Sequence, residues 1–353
     1  MVQRNMSLGG GGGNHNPLPA GQSRFPVAPG TMWERVMDKR MDPEMQAFNL
    51  RMEERAAALP PIRLELPFDG PRALTEALNL PLSEGGPVMA ESSDRWLPVR
   101  GRRIQCRLHV PPGPGPHPVL LYIHGGGWVW NSIDTHDRLM REYAAAAGCA
   151  VVGPDYALSP EAVFPQALEE CEAVLRWLAE HGGEWGLDPA RLVVGGDSAG
   201  GNLAAGLALL LRDSGAPVPL RGLLLNYGVF DSRTDTESYR EFSSGYGLTE
   251  ERMRFYWKVY APRPTDRLNP LAAPLRADLA GLPPCLLHIA ELDVLASENH
   301  AMAARLAAAG VPVETRLFPG TVHGFLRAVG EVGAAKRAVA EAATWLRARF
   351  SAP

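Results

Sequence analysis

Val193-Val194-Gly195-Gly196-Asp197-Ser198-Ala199-Gly200-Gly201-Asn202 is the stretch on which the fold turns. A short apolar run ends in Gly-x-Ser-x-Gly at 196–200, and an Ala- and Leu-rich run of helix length follows directly. The order is strand, sharp turn, helix. A serine hydroxyl is a poor nucleophile unless it is displayed at such a turn, and the flanking glycines remove side chains that would clash there. The pattern alone is weak, because an ordinary strand-to-helix loop with a capping serine has the same letters. Three other segments of the chain give it weight.

The first is Val119–Ile123, an apolar run that enters His124-Gly125-Gly126-Gly127-Trp128. Three glycines after a strand expose backbone N–H groups. Acyl transfer creates an oxyanion, and fixed N–H donors aimed at it lower the barrier by several kcal/mol. The run Gly9–Gly13 follows no strand and reads as linker. The second segment is Phe318-Pro319-Gly320-Thr321-Val322-His323-Gly324-Phe325, where a histidine lies just past a strand and ahead of the terminal helix. An imidazole there can reach the serine as general base. His288 and His300 also follow Ser198, but one falls within a strand and the other within a helix. The third segment, Ala290-Glu291-Leu292-Asp293-Val294-Leu295, offers an acid to orient the base. Both Glu291 and Asp293 qualify; Asp293 is favoured because Glu291 lies closer to the strand end.

Outward from these motifs the chain alternates. Arg95–Val99 and Arg102–Val110 flank Arg100-Gly101 as a hairpin, and parallel-type apolar runs stand at Val119–Ile123, Ala150–Gly153, Leu192–Gly195, Gly222–Leu225, Cys285–Ile289 and Thr315–Phe318. Helix-length segments near 135–147, 165–181, 199–213, 297–309 and 331–349 separate them. Strands alternating with helices imply a mostly parallel sheet covered on both faces. The interval Val229 to about Pro264, rich in Tyr, Phe, Arg and Glu, reads as inserted. Met32 to about Leu59 reads as two short helices with a break at Asp42-Pro43. Together they would form a lid over the strand ends. The expected organisation is a flexible tail at 1–30, cap at 31–60, catalytic core at 61–228, second cap segment at 229–264 and core again at 265–353.

The 353 residues include 46% hydrophobic and 21% charged, near globular averages. Lys and Arg number 35 against 39 Asp and Glu, so no nucleic-acid or anionic-membrane partner is expected. Cys106, Cys149, Cys171 and Cys285 lack metal-site or disulfide-framework spacing and read as reduced thiols. The start, MVQRNMSLGGGGG, lacks the apolar run of a signal peptide, and no run of about 18 apolar residues occurs, so a cytoplasmic location is expected.

With these segments quoted, the chain resembles the bacterial branch of the hormone-sensitive-lipase-like esterases over roughly residues 90–350. HGGGW, GDSAGGN, Glu-Leu-Asp-x-Leu and VHGF occur in that family's order. The resemblance implies an α/β-hydrolase fold, with a mostly parallel eight-stranded sheet, helices on both faces and a helical cap. It implies a triad of Ser198, Asp293 and His323, in the chain order usual for that fold. The backbone N–H groups of Gly126, Gly127 and Ala199 become the oxyanion hole, with Gly125 giving the loop its freedom, His124 bracing it and Asp197 in support. Two departures stand out. Asp155-Tyr156-Ala157-Leu158-Ser159-Pro160-Glu161 has Ala where the family often has Arg, so Asp155 must find other partners, and Val294 replaces a proline often found after the acid.

The expected activity is hydrolysis of short- to medium-chain acyl esters through an acyl-enzyme, without metal or organic cofactor. The alternatives are an amidase or peptidase using the same triad, and a non-catalytic ligand-binding protein of this fold, against which His323 argues. Trp128, Trp130, Tyr156, Tyr227, Phe230 and Phe325 are candidates for an apolar pocket, with core packing the equal alternative for each. The partner is a small ester substrate; no stable membrane association is expected, and a homodimer is compatible with the fold's terminal strands and helices.

Overall fold

The structure, a computed structural model, describes residues 39–61, 67–99 and 101–352. The tail expected at 1–30 and the start of the N-terminal helical segment lie outside these residues. Eight strands form one sheet: β1 (Glu91–Val99), β2 (Arg102–Val110), β3 (His117–Ile123), β4 (Ala150–Pro154), β5 (Leu187–Asp197), β6 (Gly222–Asn226), β7 (Cys285–Leu292) and β8 (Val313–Val322). Their order is β1-β2-β4-β3-β5-β6-β7-β8. β1 and β2 form the expected antiparallel hairpin, β2 runs antiparallel to β4, and every later pairing is parallel.

The central strands are apolar without alternation because both faces are covered. Every residue of β4 and β6 is buried. Helix α3 (Asp137–Ala147) packs against α9 (Gly333–Ser351), and α4 (Gln166–His181) against α5 (Ala199–Asp213), while α8 (Ala296–Ala308) lies on β7. All four cysteines are buried and free.

This topology sets where a site can form. From β3 the chain steps to one side for β4 and then to the other for β5, so strand order reverses there, and ligands bind such sheets beyond the strand ends at that reversal. The register pairs Ile123 with Gly196, which brings the His124–Trp128 loop beside the turn at Ser198. The loops after β7 and β8 open at the same end.

The remaining helices are α1 (Pro43–Ala57), α2 (Asp69–Asn79), α6 (Glu237–Phe242) and α7 (Glu250–Tyr260). Asp42-Pro43 is the start of α1: the Asp42 carboxylate accepts from the N–H groups of Glu44 and Met45 and Pro43 occupies the first turn, where no N–H is needed; most of the stretch expected as the preceding helix lies outside the described residues. α2 falls within the 61–228 stretch expected as core, where the sequence pattern marks no helix. Phe68 at its start packs on Val129 and Trp130 and meets Phe255, Tyr256 and Val259 of α7, within the 229–264 interval expected as a second cap segment. Arg40, ahead of α1, pairs with Glu241 of α6 at 2.8 Å. Among the described residues no helix is long and apolar enough to cross a membrane.

Candidate active site

Ser198 sits between β5 and α5 with φ 54° and ψ −119°, a conformation costly for any side-chain-bearing residue and held only because its surroundings over-determine it. Its N–H donates to the Asn226 carbonyl at 2.9 Å. The flanking glycines are required by contact: a methyl group at Gly200 or Gly196 would overlap the Ile123 carbonyl oxygen. Helix and strand therefore touch backbone to backbone under the serine.

His323 follows β8 directly. Its Nε2 lies 2.8 Å from Ser198 Oγ and its Nδ1 lies 2.7 Å from Asp293 Oδ2. Asp293 is buried, and its second oxygen accepts the Leu295 N–H at 3.0 Å, so Val294 in place of proline leaves the acid loop closed on itself. Glu291 points elsewhere: it sits at a register shift between β7 and β8, where its carboxylate takes the Gly320 N–H at 2.7 Å. His288 is buried within β7, and His300 is exposed on α8. The arrangement can pass a proton from the hydroxyl to an imidazole whose other nitrogen is held by a carboxylate.

The His124–Trp128 loop is built around left-handed backbone, with φ 135° at Gly126, 61° at Gly127 and 60° at Trp128. Side chains are excluded on several sides. A Cβ at Gly125 would lie 2.5 Å from Asp197 Oδ2, and one at Gly127 would lie 2.6 Å from the Tyr256 ring. Ala199 opens α5, so its N–H is among those with no partner inside the helix and lies at the helix's positive end. His124 stacks on Tyr156 at 4.3 Å, and Tyr156 donates its hydroxyl to the His124 carbonyl at 2.9 Å. Burial and the neighbouring His136 push the His124 imidazole down to about 3, so it is a neutral brace.

Asp197 anchors the loop from below. Its Oδ1 accepts from Tyr122 Oη at 3.0 Å and from the Gly125 N–H at 3.1 Å, and His136 Nε2 lies 3.4 Å away. Burial opposes ionisation, but His136, Tyr122 and the charge of Arg327 outweigh it and hold the carboxyl below its usual range. Asp155 lacks an arginine neighbour in its own segment; burial raises its carboxyl, partly offset by the Ile133 N–H. An arginine does reach that block, from another element. Arg72 of α2 donates to the carbonyls of Ser159 at 2.9 Å and Val129 at 3.1 Å and pairs with Glu161 at 2.6 Å.

All six candidate pocket aromatics are buried. Trp128 is fully buried, stacked on Tyr260 at 4.1 Å, and fastens the glycine loop to α7. Phe230 and Phe325 are core residues; Tyr227 is buried with its ring 5.1 Å from His323. Tyr256, half-buried on α7 over Gly127, and Arg72 carry no sequence pattern that marks them.

A family model described as alpha/beta hydrolase fold matches residues 120–327. The acetyl esterase of Salmonella schwarzengrund (strain CVM19633) is 37% identical over 253 residues, covering 71% of this chain and 78% of that protein. The acetyl esterase of Salmonella choleraesuis (strain SC-B67) is 38% identical over the same length. Among solved structures, a thermostable esterase from Pseudomonas putida ECU1011 superposes with TM-score 0.82 at 34% identity, covering 90% of this chain and all (100%) of that one. A hyperthermophilic esterase from the archaeon Pyrobaculum calidifontis gives 0.82 at 32% identity, covering 88% and 99%.

Proposed function

Since the chain belongs to the hormone-sensitive-lipase-like family of α/β-hydrolases and is a carboxylic ester hydrolase, we propose that Ser198, His323 and Asp293 carry its reaction and that its substrates are small esters of short acyl chains, acetyl foremost. The observation that supports the site is His323 bridging Ser198 Oγ at 2.8 Å and Asp293 at 2.7 Å. Ser198 attacks the ester carbonyl while His323 takes its proton. The tetrahedral oxyanion is held by the N–H groups of Gly126, Gly127 and Ala199. His323 returns the proton to the departing alkoxide, leaving an acyl-serine, and the same base then activates water to release the acid. The acetyl preference is supported by the relatives described as acetyl esterases and by Tyr256 seated on Gly127, which narrows the space beside the proposed oxyanion donors.

The deciding experiment is a time course on 4-nitrophenyl acetate, butyrate and decanoate with and without a serine-directed phosphonate, followed by mass analysis of the labelled peptide. Turnover fastest on acetate or butyrate, with one adduct on Ser198 and loss of activity, is the expected result. An adduct elsewhere would overturn the nucleophile, and fastest turnover of decanoate would overturn the acyl preference.

A further inference from the structure

A polar relay crosses the molecule between the loop that carries His323 and the glycine loop, through α2. Arg327, four residues past the base, donates from Nη1 to Asn79 Oδ1 at 2.5 Å. Asn79, the last residue of α2 and buried, donates from Nδ2 to Asn131 Oδ1 at 3.3 Å, and Asn131 donates from Nδ2 to the Gly125 carbonyl at 3.2 Å. Asn131 stands at φ 69°, left-handed backbone that favours glycine and that asparagine tolerates better than other side chains. A glycine would suit the backbone there; the carboxamide is what reaches Gly125.

The peptide bond is planar and trans, so the Gly125 carbonyl and the Gly126 N–H point in opposite directions. Whatever holds the carbonyl aims the N–H. His124 Nδ1, at 2.9 Å, and Asn131 Nδ2 both hold that carbonyl, while Asp197 holds the Gly125 N–H on the far side. We propose that Asn131, Asn79 and Arg327 are positioning residues that aim the Gly126 N–H at the oxyanion and couple its orientation to the His323 loop. The inference rests on Gly126 being an oxyanion donor, as proposed above. Donors that act on a charge formed only in the transition state change kcat more than substrate binding.

The test uses the full chain and begins with wild-type turnover and Ser198 labelling, which measure the underlying reading separately. Asn131→Gly keeps the left-handed backbone and removes the donor; it should lower kcat on 4-nitrophenyl butyrate about 30-fold with KM changed by less than about threefold. A trifluoromethyl ketone, which forms an oxyanion on the serine, should lose affinity in parallel. Asn79→Asp keeps the Arg327 contact but cannot donate to Asn131, and should give a smaller loss in kcat of about fivefold. Combined with Asn131→Gly it should add nothing further, since the two act in series. Thermal unfolding identifies any variant that is not folded; Asn79→Asp and Arg327→Lys then carry the comparison. In an active wild-type enzyme, kcat within twofold in folded Asn131→Gly, a loss confined to KM, or independent effects of Asn79 and Asn131 would overturn the proposal.

Discussion

At the scale of single residues the site rests on contacts with no slack. Gly200 is the clearest case, because any Cβ there would overlap the Ile123 carbonyl and lie 2.8 Å from that of His124. Gly200→Ala should cost at least about 3 kcal/mol or prevent folding, as overpacking against backbone cannot be relieved by a side-chain rotation; denaturant unfolding measures it, and a loss under 1 kcal/mol would mean the turn can shift. Ser198→Ala is the opposite kind of change. It removes one oxygen from a side chain already in position, so hydrolysis should fall by about 10³-fold or more with the unfolding midpoint nearly unchanged. Activity retained within tenfold would remove Ser198 from the nucleophile's role. Both sites were legible as residues, because a strained turn leaves a local signature of glycines around one serine. Between Glu291 and Asp293 the sequence offers a weaker signal, the closeness of Glu291 to the strand end, which favours Asp293; the contacts that separate the two carboxylates, to the Gly320 N–H and to His323, reach about 30 positions along the chain.

At the scale of elements α2 is where sequence and structure part. The eight strands and five core helices follow from apolar runs of strand length alternating with helical segments, a pattern repeated along the chain. The sequence does not mark α2, because Asp69–Asn79 holds a glycine and a proline in its first turn and few large apolar residues; its place is set by Phe68 packing on Trp130 at 5.6 Å and by Arg72 on the Val129 and Ser159 carbonyls. α7 contributes Tyr256 over Gly127 and Trp257 and Tyr260 around Trp128, so a single helix packs on the glycine loop at both residues. Tyr256→Ala should therefore widen the site and raise the ratio of kcat/KM for octanoate over acetate esters about tenfold. An unchanged ratio would place Tyr256 outside the acyl path.

At the scale of the whole molecule the buried titratable groups set a dependence of stability on pH. His124 and His288 are pushed from the ordinary 6.5 down to about 3, in each case mainly by burial. The unfolded chain therefore binds protons at these sites at a higher pH than the folded one, and the stability present above pH 6.5 is lost as pH falls from there toward 3. Glu298 acts in the other direction: burial holds its carboxyl well above the ordinary 4.5, so its contribution is lost as pH rises above that value. The two effects overlap, and the difference between variants separates them. Relative to wild type, His288→Leu should gain stability by up to about 1.4 kcal/mol for each unit of pH below 6.5, since neither ring nitrogen of His288 has a hydrogen-bond partner among the described residues. Glu298→Gln should gain relative stability as pH rises above 4.5. Urea titrations from pH 4.5 to 8 measure both, and a pH-independent difference would show that the group titrates alike in both states. The sequence by itself determined the alternating α/β order, the nucleophile turn, the glycine loop and the candidate base, because each is written in backbone constraints and periodicities spanning a dozen residues or fewer. Only the tertiary structure shows that Asp293 faces His323 while Glu291 faces the Gly320 N–H, where α2 is seated, that Tyr256 lies over Gly127, and the Arg327–Asn79–Asn131 contacts. These are contacts between groups as much as 248 positions apart, and they are set by how finished elements pack rather than by any local run of residues.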